Sequence, residues 1–131
     1  VQMTRLDEML AKRAQVVDWY VERLARVDGV ELPQVAASTS RMSWFVYVIR
    51  FALGIDRDAV AAKLKENGIP CRPYFVPIHV QPYMAEKFGY QEGDFPITED
   101  LGRRGLAIPF SGMMTEAQVE TVCEEIQRVL G

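Results

Sequence analysis

The residue types best suited to chemistry are concentrated in one short segment, residues 68–84, which reads GIPCRPYFVPIHVQPYM. The segment contains four of the seven prolines and the only histidine of the chain. Its aromatic side chains are Tyr74, Phe75 and Tyr83. The guanidinium of Arg72 could hold a phosphate or a carboxylate through two parallel hydrogen bonds. His79 could donate a proton to a phosphate or hydroxyl near neutral pH, and a ring could stack on a flat ligand or a sugar.

The prolines indicate that this segment is a stiff loop. Proline fixes φ and removes a backbone donor, so this density excludes a helix or a central strand. A loop that is ordered in advance loses less entropy when it binds a ligand, which favours a binding site. The residues alone leave a structural alternative open, in which the rings pack beneath the loop, Arg72 lies at the surface and His79 makes only structural hydrogen bonds.

The motifs of several common site classes are absent from the sequence. Neither GxGxxG nor GxxxxGKS occurs, and no GxSxG accompanies His79. One histidine and two distant cysteines cannot form an ordinary zinc site. The lysines lie on the polar sides of predicted helices, without the desolvated or cation-flanked pocket that activates a Schiff-base lysine. They are Lys12, Lys63, Lys65 and Lys87. The residues therefore predict no self-sufficient active site.

Composition and charge narrow the class of protein. The 131 residues are 49% hydrophobic with a net charge of −3, which is typical of one soluble globular domain over residues 1–131. This charge offers no general attraction for nucleic acid or an anionic membrane, and no apolar run is long enough to span a bilayer. Cys71 and Cys123 fit neither a metal site nor a disulfide framework. They predict core residues in a reducing, cytoplasmic protein.

The hydrophobic patterns predict an α+β fold, in which a small, three- to four-stranded and mainly antiparallel sheet carries helices on one face. An apolar stripe predicts a long first helix that stops at Asp28–Gly29, and we expect part of it to contact something outside this chain. The stripe contains Met3, Leu10, Val17 and Leu24. Strands are predicted at 43–51, 70–75 and 106–109. Further helices are predicted from Asp56 or Asp58 to Asn67–Gly68, over 81–88, from Pro96 to Gly105, and after a capping box at Thr115 and Gln118.

Two segments carry a resemblance to a known family. RPYFVPIHVQP, followed by GDFPITEDL, resembles the C-terminal part of the DegT/StrS sugar aminotransferases, which are pyridoxal-phosphate-dependent enzymes that aminate keto-sugar nucleotides. TRLDEMLAKRAQVVDWYVERLARVDGVELP and SWFVYVIR are similar to the interdomain helix and first small-domain strand of that family. The resemblance therefore covers nearly the whole chain. Within the family, RPYFVPIHVQP is most similar to perosamine-synthase-like members, which act on a GDP-linked 4-keto-6-deoxy sugar.

The resemblance implies the small domain of a fold type I pyridoxal phosphate enzyme, with an interdomain helix at 1–28 and a small C-terminal domain at 33–131. Pyridoxal 5'-phosphate and its lysine would belong to an N-terminal domain that precedes Val1. Arg72, Tyr74 and His79 resemble positions that face the cleft where substrate enters. The implied partners are a nucleotide-linked keto sugar, an amino donor that is commonly glutamate, and a second copy in a homodimer.

Two alternatives of other classes remain open from the sequence. The chain could be a free-standing α+β module that binds a small anion or nucleotide through Arg72 and His79. It could also be a structural or dimerisation domain whose long first helix makes the contact. The chain begins at Val1, within a predicted helix and without an initiator methionine, which favours a piece of a longer protein.

Overall fold

The computed structural model describes residues 3–131, with side chains described from Thr4 onward, so the predicted contribution of the Met3 side chain lies outside the described part. The helices are α1 at Leu6–Leu24, α2 at Arg57–Glu66, α3 at Pro82–Phe88, α4 at Pro96–Arg104 and α5 at Glu116–Leu130. The strands are β1 at Val30–Glu31, β2 at Tyr47–Phe51, β3 at Arg72–Pro73 and β4 at Gly105–Ile108. Single turns of 3₁₀ helix occur at Met3–Arg5 and Ile78–Val80.

The four strands form one sheet in the order β1-β2-β4-β3, and each neighbouring pair is antiparallel. Tyr47, Ile49 and Phe51 alternate along β2 and are buried in one core cluster with residues of α1, α2 and α5. Val48 and Arg50, which lie between them, point to the opposite face of the sheet. The predicted α+β fold, with a small antiparallel sheet and helices on one face, is confirmed.

The C-terminal half of α1 packs onto the sheet of its own chain. The buried Tyr20 ring stacks on Tyr47 with 5.1 Å between centroids, and its hydroxyl donates to the carbonyl of Pro109 at 2.6 Å. The same face also buries Val16, Val17 and Leu24. In the first turns of α1, Leu6 and Met9 are each 37% exposed. The stripe residue Leu10 is only partly buried, so the apolar face of α1 is well covered by this domain only in its C-terminal half.

Two element boundaries differ by several residues from the sequence prediction, and one strand was not predicted. α1 ends at Leu24 rather than at Asp28–Gly29, and Gly29 adopts a φ of 83° in the turn that leads from the helix into the sheet. That turn is followed by β1, a two-residue edge strand that no hydrophobic pattern indicates. The strand predicted from residue 43 begins at Tyr47, since a φ of 43° at Trp44 interrupts the extended chain.

The predicted ends of α2 are confirmed in detail. The side chain of Asp56 accepts a hydrogen bond from the backbone N–H of Asp58 at 2.9 Å, which caps the first turn. At the other end, the N–H of Ile69 donates to the carbonyl of Leu64 at 2.8 Å. Gly68 makes this closure possible with a φ of 81°. The chain thus passes from α2 towards β3 through a tight turn.

The capping box and both cysteines also behave as the sequence predicts. The Thr115 side chain accepts from the N–H of Gln118, and the Gln118 side chain accepts from the N–H of Thr115 at 2.9 Å. Cys71 and Cys123 are buried free thiols. Burial raises the pKa of Cys123 to about 12 and also raises that of Cys71. Both thiols therefore stay protonated at neutral pH and act as core side chains.

A substitution at Tyr47 tests the cost of a buried hydroxyl group while it keeps the aromatic ring in the core. Its hydroxyl oxygen is buried and has no hydrogen-bond partner among the described residues, and burial raises its pKa to about 12. Tyr47→Phe removes this desolvated group and keeps the ring, so we expect the free energy of unfolding to rise by about 1 kcal/mol. Tyr20→Phe is the matched control; it deletes a hydroxyl that is bonded and should cost about 1 kcal/mol. Denaturant titrations that give equal losses for both variants would contradict this account.

Candidate functional site

The face of the sheet opposite α1, α2 and α5, here called the open face, carries Arg72. Residues that pair directly across neighbouring strands point to the same side of a sheet, and the register aligns Arg72, Ala107 and Val48 in one row. Val48 belongs to the open face because its neighbours Tyr47 and Ile49 are buried against the helices. The Arg72 side chain is exposed and makes no hydrogen bond or ion pair with another described residue. Its guanidinium is therefore available to an anion.

Tyr74 borders a groove of about 680 Å³ on the open face. Arg50 and Glu31 form part of the wall, and Nε of Arg50 donates to Glu31 at 2.6 Å. This hydrogen bond holds the pKa of Glu31 below its ordinary value. The charge of Arg50 is thus neutralised within the wall, whereas Arg72 on the same face keeps a free positive charge.

Residues 74–80, here called the lip, connect β3 to α3 and carry exposed apolar side chains. Phe75 is 69% exposed, and its φ of 66° lies in the left-handed region that bulky residues rarely adopt. Its ring lies 4.4 Å from the ring of Tyr74, between centroids. Val76 and Ile78 are also exposed. Backbone strain together with exposed rings is typical of segments that contact a ligand or another part of a protein.

His79 belongs to the lip, but its side chain is buried and pairs with Glu99 of α4. Both residues are nearly fully buried, and Nε2 of His79 lies 2.8 Å from Oε1 of Glu99. Since an ionised carboxylate only accepts hydrogen bonds, Nε2 carries the hydrogen. The same carboxylate accepts the backbone N–H of Gly93 at 2.8 Å and that of Phe95 at 3.2 Å. The hydrogen bond from His79 is the main cause that holds the pKa of Glu99 below its ordinary value, against the effect of burial.

The structure therefore separates the three predicted site residues into two places. Arg72 and Tyr74 lie at the open face and its groove, whereas His79 is 7% exposed and has Nε2 engaged inside the fold. A substrate contact for all three stays a prediction. Tyr83 is exposed on α3 and accepts a hydrogen bond from Lys87 at 2.9 Å.

Glu99 is the functional candidate that the sequence analysis missed. A glutamate in the first turn of a helix is common, because the positive end of the helix dipole favours it. Its partner His79 is 20 residues away, and no local spacing relates the two. The sequence offered one indication of such a residue, which is the histidine: an imidazole that becomes buried requires a hydrogen-bond partner.

The described lysines do not fit pyridoxal phosphate. None of the four is buried; Lys12 pairs with Glu8 at 2.7 Å, and Lys87 lies over the exposed ring of Tyr83. A Schiff-base lysine needs a desolvated or cation-flanked pocket, which these positions lack. Within residues 3–131, no three side chains of the metal-binding types converge, and no helix has the length and hydropathy needed to cross a membrane.

Comparisons with known proteins decide the family. Residues 1–127 match the DegT/DnrJ/EryC1/StrS aminotransferase family. The chain belongs to this family. A relative named GDP-perosamine synthase, from Caulobacter vibrioides, is 36% identical over 98% of this chain and 34% of its own length. A relative from Bacillus subtilis, named the putative pyridoxal phosphate-dependent aminotransferase EpsN, is 31% identical over 94% of this chain and 32% of its own length.

A solved aminotransferase structure shares the fold. The aminotransferase TlmJ from Streptoalloteichus hindustanus superposes with a TM-score of 0.84 at 27% identity, over 98% of this chain and 34% of TlmJ. The chain thus spans about a third of the length of the relatives it matches. The family resemblance seen in the sequence is confirmed, and so is the α+β fold with a small antiparallel sheet.

Proposed function

We propose that this chain is the C-terminal small domain of a pyridoxal-phosphate-dependent aminotransferase that transfers an amino group, with glutamate as donor, to a nucleotide-linked keto sugar. The observation that carries this proposal is the match to GDP-perosamine synthase along 98% of the chain. The free guanidinium of Arg72 and the groove beside Tyr74 support it, because a sugar nucleotide combines a diphosphate with flat and apolar faces.

In the proposed enzyme, this chain and the rest of the protein supply different parts of the active site. The cofactor, its lysine and its phosphate-binding residues belong to an N-terminal domain outside these 131 residues, and α1 lies within an interdomain helix spanning 1–28. The domain of 33–131 contributes the open face and the lip to a cleft that a homodimer completes. We place the enzyme in the cytoplasm, in the synthesis of cell-surface polysaccharide.

Within that cleft, the side chains of this chain bind and orient substrate. Arg72 holds a phosphate of the nucleotide through paired hydrogen bonds. Tyr74 covers a flat or apolar face of the ligand from the groove. We propose that His79, whose Nε2 is held by Glu99, faces the cleft through its remaining ring edge and keeps the lip in place.

The proposal is tested with the intact polypeptide, supplied with pyridoxal phosphate, glutamate and a GDP-linked 4-keto-6-deoxy sugar. We expect formation of 2-oxoglutarate and, by mass spectrometry, an amino sugar still linked to GDP. If the intact polypeptide binds the nucleotide sugar without aminating it, the chain belongs to a binding module rather than to a transaminase.

Arg72→Ala should weaken use of the sugar nucleotide. A charge-assisted hydrogen bond contributes about 1.5–3 kcal/mol, so KM for the keto sugar should rise by roughly ten- to a hundred-fold. Arg72→Lys keeps the charge but loses the paired geometry, and its KM should lie between those of the wild type and the alanine variant. Arg26→Ala, at another exposed arginine without a described partner, is the control. If steady-state kinetics give the same KM for Arg72→Ala as for this control, Arg72 is not part of the site.

A further inference from the structure

We propose that Glu99 and Gly102 of α4 are positioning residues that hold the lip in the geometry needed for the sugar nucleotide. The inference rests on the proposed function and adds to it the element that sets the shape of the substrate cleft. Neither residue is assigned direct contact with substrate, and each acts through the segment that it fixes.

Gly102 fixes the lip by allowing close approach. A Cβ atom built at this position would lie 2.9 Å from both Cγ and Cδ of Pro77, and 3.5 Å from the carbonyl oxygen of Phe75. Real Cβ atoms do not come that close, and the proline ring is too stiff to move aside alone. The backbone of the lip is therefore seated directly on α4, at the one residue of this helix that lacks a side chain.

Glu99 provides the second attachment, on the same side of α4. Residues three apart in a helix share a face, so Glu99 and Gly102 are neighbours on the surface of α4. Glu99 holds His79, and Gly102 receives Pro77; the two attachments therefore fix positions two residues apart in the lip. The remaining hydrogen bonds of Glu99 tie the turn before α4 to the same point.

This double attachment explains how the lip keeps its strained backbone. The φ of 66° at Phe75 persists only if the surrounding contacts determine it, and the attachments at Pro77 and His79 follow it directly in the chain. Phe75 turns outward beside Tyr74, and Tyr74 follows β3 with its Arg72. A displacement of the lip from α4 thus moves the side chains that we assign to substrate.

The test is Gly102→Ala in the intact enzyme loaded with pyridoxal phosphate. Alanine favours a helix more than glycine does, which offsets part of the cost of displacing the lip, so the melting temperature should fall by less than about 5 °C. We expect KM for a GDP-linked 4-keto-6-deoxy sugar to rise about tenfold, with the rate of the half-reaction with glutamate within about twofold of the wild type. Gly112→Ala is the matched control, because its Cβ would meet the flexible side chain of Arg13 at 3.3 Å.

Two results would overturn the inference. One is an unchanged KM in Gly102→Ala. The other is a parallel loss of both half-reactions and of the melting temperature, which is the result of general destabilisation. Glu99→Gln is the second variant, followed by KM and by the glutamate half-reaction, since its amide nitrogen would replace a carboxylate oxygen and face the N–H of Gly93.

A measurement that does not depend on activity separates this inference from the proposed function. Hydrogen exchange followed by mass spectrometry should show faster exchange over residues 74–80 in Gly102→Ala, with the remaining segments as in the wild type. Unchanged exchange in the lip overturns the positioning role. A wild-type enzyme that aminates no keto sugar counts against the proposed function alone, and the exchange result still decides whether α4 holds the lip.

Discussion

Glu99→Ala is expected to lower the melting temperature of this chain by about 5–10 °C, one of the two largest effects of a single substitution that we foresee. The carboxylate is buried and accepts hydrogen bonds from Nε2 of His79 and from the backbone N–H groups of Gly93 and Phe95. Alanine leaves all three donors without their acceptor, in a place that water reaches poorly. Buried donors without partners cost more than a hydrogen bond between exposed groups contributes.

Glu92→Ala is the matched control for this substitution. Glu92 is exposed, carries the same charge and makes no hydrogen bond with another described residue. Its removal should change the melting temperature by no more than about 2 °C. If calorimetry gives similar shifts of the melting temperature for both variants, the hydrogen bonds of Glu99 do not stabilise the fold.

Acid should reproduce part of the effect of removing Glu99. The hydrogen bond from His79 holds the pKa of Glu99 below its ordinary value of 4.5, so its stabilisation is present at higher pH and is lost as pH falls through the folded-state pKa. Arg103 also faces Glu99, with its Nη1 3.9 Å from the carboxylate. The difference in unfolding free energy between wild type and Glu99→Gln should therefore be present at pH 7 and shrink as pH falls below 4.5, the ordinary pKa of this carboxyl group.

Tyr20→Ala is the second large effect, with an expected loss of about 4 kcal/mol in the free energy of unfolding. Tyr20 is fully buried, stacks on Tyr47 and donates to Pro109, so it fixes α1 to the sheet. Truncation removes the ring, its hydrogen bond to Pro109 and its contact between α1 and the sheet. A loss of this size approaches the whole stability of a domain, which is about 5–15 kcal/mol.

The size of the loss at Tyr20 is checked by urea denaturation followed by circular dichroism. Tyr83→Ala is the control, because that ring is 64% exposed on α3 and its removal should cost no more than about 0.5 kcal/mol. A loss below about 2 kcal/mol for Tyr20→Ala would mean that α1 is bound to the domain mainly by other contacts.

The parts of the fold that follow from the sequence are those fixed by neighbours in the chain. The cap at Asp56, the glycine closure at Gly68 and the capping box at Thr115 each depend on residues within about five positions, and all three are present. The edge strand β3 was also predicted, but over 70–75; it is confined to Arg72–Pro73, since Phe75 has a φ of 66° that is not extended. Local chemistry specifies these features wherever the rest of the chain lies.

The parts that the sequence did not predict depend on contacts between distant residues. The strand β1 contains two residues and exists because β2 accepts it as a neighbour. The partner of His79 comes from another helix, and so the sequence could propose a substrate role for that histidine but could not supply Glu99. The sequence predicted only that helices cover one face of the sheet. The register places Arg72 on the opposite face, where Leu101 of α4 also borders the groove.

The most direct test of the whole account is to find the lysine that holds the cofactor. The intact polypeptide is loaded with pyridoxal phosphate and reduced with borohydride, and the modified lysine is located by peptide mass spectrometry. We expect a single labelled lysine that lies outside the 131 residues of this chain. Stoichiometric labelling of Lys12, Lys63, Lys65 or Lys87 would show that this chain itself carries the reactive group, and would contradict the account.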